Sequence, residues 1–327
     1  MPVFKKVFSL FLRIAISAFL LFLLFKQIDT SSLVANIRST DKYILSIAFL
    51  IYFLTYIICL FRWEMLLKAI KINLPLKRVI ISFAGGSFFS MFLPSTIGGD
   101  LIRSIDLSMH TKRPREVIAT VLLDRLSGYI GLVIVAIVSI IIGWRQMDGQ
   151  PVIITTMLVI VGMLVLILVV LFNNSIYSKV NKLLHSKKSG GLRDMIKNLH
   201  NEIYVFRNHK GVIINNIFMS VLLQITIPVS YYFIGLSFGI KINMLYYFIF
   251  IPIISAIAML PISLGGLGLR DAATVFFFAK VGLGKDLAFA MSLTSFFIMV
   301  VYSIIGGLIY VLTVRHRRIQ RIKPPGI

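Results

Sequence analysis

The sequence predicts an all-α, polytopic membrane protein, built as an inverted repeat of three spans plus one re-entrant or broken-helix hairpin per half. Three observations predict it. Apolar runs of spanning length recur along a chain of 327 residues that is 58% hydrophobic and 14% charged. Two further apolar stretches stop short at a Leu-Pro pair. Both stops open the same pattern, Leu93-Pro94-Ser95-Thr96-Ile97-Gly98-Gly99-Asp100-Leu101-Ile102-Arg103 and Leu260-Pro261-Ile262-Ser263-Leu264-Gly265-Gly266-Leu267-Gly268-Leu269-Arg270, at an offset of 167 residues without a gap.

The runs of spanning length are 7–25, 43–61, 117–143, 152–172, 212–235 and 287–312. The first carries Lys5 and Lys6 ahead of it and no small-residue cleavage signal, so it is expected to be an uncleaved span. The stretch 79–93 supplies ~22 Å of helix, against a hydrocarbon core of ~30 Å. The stretch 244–260 is similar, interrupted by Pro252 and stopped by Pro261. A proline removes a backbone donor and restrains the residue before it. Gly-Gly then permits a reversal or close packing, and the hydroxyl of Thr96 or Ser263 could cap a helix restarting at the glycines. With the returning stretches 98–110 and 266–283, each region reads as a hairpin or as two short helices meeting near the midplane. The alternative is two tight turns between packed helices.

Flanking spans keep the offset: 43–61 matches 212–235, and 117–143 matches 287–312. The whole chain then reads as a single transmembrane domain with halves 7–143 and 152–312. An odd number of spans per half inverts the second relative to the first, which is the plan of many secondary transporters. Lys and Arg split 24 to 7 between alternate sides, with Arg13, Arg125 and Arg270 inside the membrane. That bias predicts N- and C-termini on the cytoplasmic side of the cytoplasmic membrane. The net charge of +22 is thereby topogenic, and no nucleic-acid partner is expected. The basic stretch 173–211 is expected to be a cytoplasmic loop, either solvated or an amphipathic helix on anionic lipid. Trp63 and Trp144, at span ends, read as interface aromatics.

Enzyme signatures are sparse. The five histidines lack metal-ligand spacing, the lone Cys59 precludes a thiolate metal site or disulfide frame, and Gly265-Gly266-x-Gly268 lacks the setting of a dinucleotide loop. No catalytic residue, metal or cofactor is expected. Asp124 and Arg125, inside the span 117–143, need partners or a cavity, and Arg103 or Arg270 could pair with Asp124. Each of those arginines lies about one turn beyond its glycine pair. Helix N-termini favour anions and guanidinium adds a bidentate phosphate partner. The candidate substrate-binding set is therefore Arg103, Arg270, Gly98, Gly99, Gly265, Gly266, Thr96 and Ser263, with Asp100, Asp124, Arg125 and Asp271 as a charge network. Asp100 and Asp271 could instead neutralise the arginines beside them. Asn215, Asn216, Gln224, Thr226, Thr120 and Ser127 read as interhelical hydrogen bonds, and Gly235-x-x-x-Gly239 and Gly306-Gly307 as close helix contacts.

On Leu93-Pro94-x-x-x-Gly98-Gly99-Asp100-x-x-Arg103, Leu123-Asp124-Arg125-x-x-Gly128 and Pro261-x-Ser263-x-Gly265-Gly266-x-Gly268-x-Arg270-Asp271, the chain resembles the transmembrane region of lysylphosphatidylglycerol synthases, also called the flippase-like family. The resemblance covers nearly the whole chain. It implies a multi-pass protein handling polar lipids. In full-length synthases the matching region is followed by a soluble aminoacyl-transfer domain, which is not expected in a sequence ending at Ile327. The expected function is a lipid translocase, flippase-like, moving a polar or anionic lipid (a phospholipid or a polyprenyl-phosphate type) between leaflets. The alternative is the membrane component of a lipid-modifying aminoacyl- or glycosyl-transferase. A homodimer or a lipid-modifying enzyme could be its partner.

Overall fold

In the computed structural model the described residues are 2–92, 96–147, 154–155, 158–159, 161–162, 206, 209–259, 263 and 265–322; residues 2–10, 30, 92, 96–97, 146–147 and 314–322 are described by backbone alone. Among them the regular structure is all helical: α1 Pro2–Gln27, α2 Thr30–Arg38, α3 Lys42–Ala69, α4 Leu76–Phe92, α5 Thr96–Thr111, α6 Pro114–Gly143, α7 Lys210–Ser237, α8 Met244–Ala258, α9 Leu269–Ala279 and α10 Lys285–Ile322. Four of these, α3, α6, α7 and α10, are long and apolar enough to cross a membrane. The pair α1 and α2, bent by 90° over 11–38, would make a fifth. The expected span 152–172 lies outside the described residues except for isolated positions, as does most of the loop 173–211.

Short polar residues set the helix starts. Asp29 caps α2 by accepting the Ser31 N–H at 2.9 Å, Asp41 caps α3 through Tyr43 and Ile44, and Asn243 caps α8 through Leu245. Pro114 opens α6, where its missing donor costs nothing. Pro252 does not interrupt the helix as expected: α8 runs through it, as membrane helices tolerate when neighbours re-satisfy the backbone. Helix α2 was not anticipated, because nine residues of mixed polarity after Asp29 carry no spanning signal.

The scaffold is set by α3 against α7. Asn216 donates to the Arg62 carbonyl, Ser230 to Ala48 O, and the Asp41 N–H to Ser237 O, so the two helices run antiparallel along their length. Each is followed by a hairpin. In α4/α5, Arg78 meets Asp106, Ser82 donates to Arg103 O, and Gly86 abuts Gly99, which is an antiparallel ladder from base to tip. In α8/α9, Tyr247 packs on Phe278, Phe250 on Phe277, and Ala258 on Gly266. One hairpin starts where α3 ends and the other where α7 ends, so they enter the bundle from opposite ends. The inter-helix contacts also pair up under exchange of the halves: α4 lies against α10 as α8 lies against α6, and α5 against α6 as α9 against α10.

Glycines set the closest approaches. A Cβ at Gly306 would stand 2.9 Å from Ala84 O, and one at Gly307 would enter the Phe88 ring, which brings α4 against α10. Likewise Gly143 accepts the Ile249 side chain, bringing α6 against α8.

Candidate functional site

Inside the bundle, beside the first hairpin and Met259 at the end of α8, there is a cavity of about 320 Å³ lined by Arg62, Asp100, Arg103, Asp124 and Arg125 among others. These five side chains form an unbroken alternating chain. Arg62 Nε donates to Asp124 Oδ1 at 2.6 Å, and Arg103 Nη2 reaches Asp124 Oδ2 at 3.1 Å. Arg103 Nε donates to Asp100 Oδ1 at 2.9 Å, and Arg125 closes the chain on the other Asp100 oxygen. The order is Arg62–Asp124–Arg103–Asp100–Arg125. Among the described residues, three guanidiniums face two carboxylates in this chain, a surplus of one positive charge. Arg103 is 5% exposed, and its Nη1 is buried without a hydrogen-bond partner among the described residues.

Each link is positioned from behind. Asn216 and Ser220 of α7 hold Arg62, through its carbonyl at 3.0 Å and its Nη1 at 3.0 Å, while Ser127 hydrogen-bonds Asn216. The Trp63 ring lies under the Arg103 guanidinium at 4.7 Å, with its indole N–H donating to Thr120. Trp63 is therefore no interface aromatic: it is fully buried, a platform for the cation. Trp144, by contrast, is exposed.

Arg62 escaped the sequence reading. It follows an apolar run and precedes Glu64 and Lys68, so it looked like the first residue of a basic loop, whereas α3 continues to Ala69. Arg62, Arg78 and Arg103 fall on the larger side of the 24-to-7 split, yet all three are buried. Removing these three leaves 21 against 7, so the bias keeps its sign. The only signal available was Asp124, a carboxylate deep in a span that needed a cation, and it did not point to Arg62 in particular.

The second motif is built differently. Arg270 donates to Asp271 Oδ1 at 2.8 Å and to Ser292 Oγ at 3.3 Å and lies 5.1 Å from the Phe296 ring centroid. Asp271, fully buried, also accepts the Gly268 N–H at 2.8 Å and the Ser292 hydroxyl at 2.5 Å. The anion at this helix start is thus the protein's own carboxylate. A second cavity of about 560 Å³ adjoins the first, sharing Cys59, Phe83, Ser87, Ser90 and Leu223. Gly265 and Phe296 line it but Arg270 does not, so Arg103 and Arg270 do not converge on one wall.

The glycine pairs differ too. Helix α5 begins at Thr96, so Gly98 and Gly99 are helical and Arg103 stands two turns in rather than one; the Thr96 side chain, with Leu93, Pro94 and Ser95, lies outside the described residues. Gly265, Gly266 and Gly268 have φ of +57°, +81° and +80°, and α9 starts only at Leu269. Among the described residues Ser263 caps no helix: its hydroxyl is buried there without a hydrogen-bond partner, while Leu260, Pro261, Ile262 and Leu264 lie outside them.

A bundle of apolar helices with two opposed hairpins and an internal chain of charge defines a polytopic membrane protein with a polar centre. The family model described as the lysylphosphatidylglycerol synthase TM region matches residues 10–306, and the chain belongs to that family. No individually curated protein matches it.

Proposed function

We propose that the protein is a translocase that carries an anionic lipid headgroup across the cytoplasmic membrane through the cavity beside its first hairpin. One observation carries the reading: a charged chain with one guanidinium in excess sits inside a membrane bundle and adjoins an apolar, tyrosine-lined space. Buried charge in hydrocarbon is costly unless paired or functional. A single missing negative charge beside the unpartnered Arg103 Nη1 suits a phosphate-bearing headgroup, which guanidinium binds in bidentate fashion. The membrane family supports lipid handling in general; translocation is the finer claim made here.

The exchange of contacts between halves, and hairpins entering from opposite ends, support an inverted repeat. In that plan the halves trade conformations around a fixed site. Arg103 faces the headgroup in the conformation described, and Arg270 would take its turn when the second hairpin opens. The charge bias supports cytoplasmic termini, and labelling of cysteines introduced at either end would check this.

The test is movement of a fluorescent anionic phospholipid between leaflets of proteoliposomes. Arg103→Gln keeps Asp124 paired to Arg62 and Asp100 paired to Arg125, so the fold is expected to survive while transport drops at least about tenfold, the value of one charge-assisted hydrogen bond. Unchanged transport overturns the headgroup site. Chemical modification of the lipid by the purified protein with a donor would favour a transferase instead.

A further inference from the structure

A third cavity, of about 310 Å³, lies between α3, α4 and α10. Its lining is almost wholly apolar, with Phe53, Ile57, Leu60, Ile80, Ala84 and Ile305 among its walls and Ser87 the exception at its inner end. Phe53, Ile305 and Ile309 are exposed, so the groove opens on the outer face of the bundle, where the bilayer lies. Its inner end is shared. Tyr56, Phe83 and Ser87 line both this groove and the second cavity, and Phe83 and Ser87 also line the charged one.

The three cavities are therefore neighbours that share walls, and polarity falls from one to the next. The fall runs from five charged side chains, past serines and tyrosines, to an apolar slot on the membrane side. The slot is held open by construction. Gly306 lets α10 touch α4 at Ala84 O, and the Tyr302 ring, packed 5.4 Å from Tyr56 and 5.5 Å from Phe53, fixes α10 against α3. The Tyr302 hydroxyl donates to Phe49 O at 2.8 Å, so its polar tip is satisfied away from the slot.

We infer that this groove is a binding site for a hydrocarbon chain of the same lipid whose headgroup rests on the arginines. The ligand class is a diacyl or prenyl phosphodiester that enters sideways from the bilayer between α3, α4 and α10. The inference rests on the headgroup reading above for its polar end. It adds where the tail lies and which helices form the door.

The probe is phosphatidylglycerol with a diazirine at the end of one acyl chain, in phosphatidylcholine vesicles containing the intact protein. After photolysis, adducts are mapped by mass spectrometry. Labelling is expected to concentrate on lining residues such as Phe53, Ile57, Ile80, Ala84, Ile305 and Ile309, and Ile305→Trp is expected to cut it about tenfold. The same substitution at Ile304, exposed on α10 but outside the groove lining, is expected to leave it unchanged. Arg125→Gln, at the rim of the charged chain, should also reduce groove labelling while labelling of the outward α10 positions Leu308 and Leu312 stays constant. Adducts spread evenly over the lipid-facing surface, or groove labelling indifferent to Ile305→Trp, overturn the groove. Groove labelling that obeys all three variants without lipid movement in the transport assay leaves the site standing and removes translocation. Movement without groove labelling does the reverse.

Discussion

The same eleven-residue pattern, written twice in this chain, folds in two ways. In the first copy the Gly pair is helical, the arginine sits two turns in, and its guanidinium belongs to a chain of five charges with a positive surplus beside a cavity. In the second copy three glycines take positive φ, the helix begins later, and the arginine is matched by Asp271 and by Ser292 of α10. The difference arises outside the shared letters. Asp124 and Ser292 stand 21 and 22 residues beyond their arginines, on the helix that follows each hairpin. Where that helix offers a carboxylate it recruits a further cation, Arg62, from α3. Where it offers a hydroxyl, the arginine needs its own neighbour, Asp271, which then also caps the helix start. One copy is open and unbalanced, the other closed and self-satisfied.

Asp124→Ala is the largest blow to that contrast. It strips a partner from both Arg62 and Arg103 in the membrane interior, and breaking a buried pair costs ~3–5 kcal/mol. A collapse of the thermal midpoint in detergent is expected, and a midpoint within a few degrees of wild type would show that the charged chain is not structural. Ser292→Ala at the matching place removes hydroxyl bonds but leaves Arg270 on Asp271, so a loss of only ~1–2 kcal/mol is expected by the same measurement.

Next come the glycines, which should fail for different reasons. In Gly99→Ala the new methyl meets the Gly86 carbonyl and the Ser90 side chain, so the hairpin must splay; overpacking of this kind costs ~1–3 kcal/mol. In Gly266→Ala the dominant cost is a side chain at φ +81°, ~1–2 kcal/mol. Asparagine, which tolerates that backbone region, should rescue position 266 in part and position 99 not at all, read again as thermal midpoints.

The smallest effect on stability and the sharpest on function belongs to Arg125→Gln. Its side chain is 21% exposed and Asp100 keeps Arg103 as a partner when it is gone, so a smaller loss of stability than in Asp124→Ala is expected. Lipid movement should nonetheless fall about tenfold, because the rim cation that completes the surplus is gone.

Both hairpins were legible because each apolar stretch is too short to span and ends at a Leu-Pro pair. Neither proline nor paired glycine always stops a helix: α8 runs through Pro252, and Gly98 and Gly99 lie within α5. The arginines of the two motifs and the intramembrane pair Asp124 and Arg125 were legible too, as costly residues in apolar surroundings. What could not be read is partnership at long range. Arg62 and Trp63 lie where the apolar pattern of a span gives way to basic residues, and it is the packing of α3 against α6, α7 and α5 that turns them inward. Nor could the two conformations of the glycine pairs be told apart, since glycine accepts either sign of φ. The adjacency of the three cavities is a property of packing and has no sequence period at all.

The central claim is that the surplus cation of the first motif binds a lipid headgroup in transit. The most direct measurement is the rate at which labelled phosphatidylglycerol changes leaflet in proteoliposomes carrying wild type or Arg103→Gln, at equal amounts of folded protein. The account predicts that the wild-type rate exceeds the protein-free rate and that the variant loses at least about nine-tenths of the excess. Equal rates in the two would contradict it.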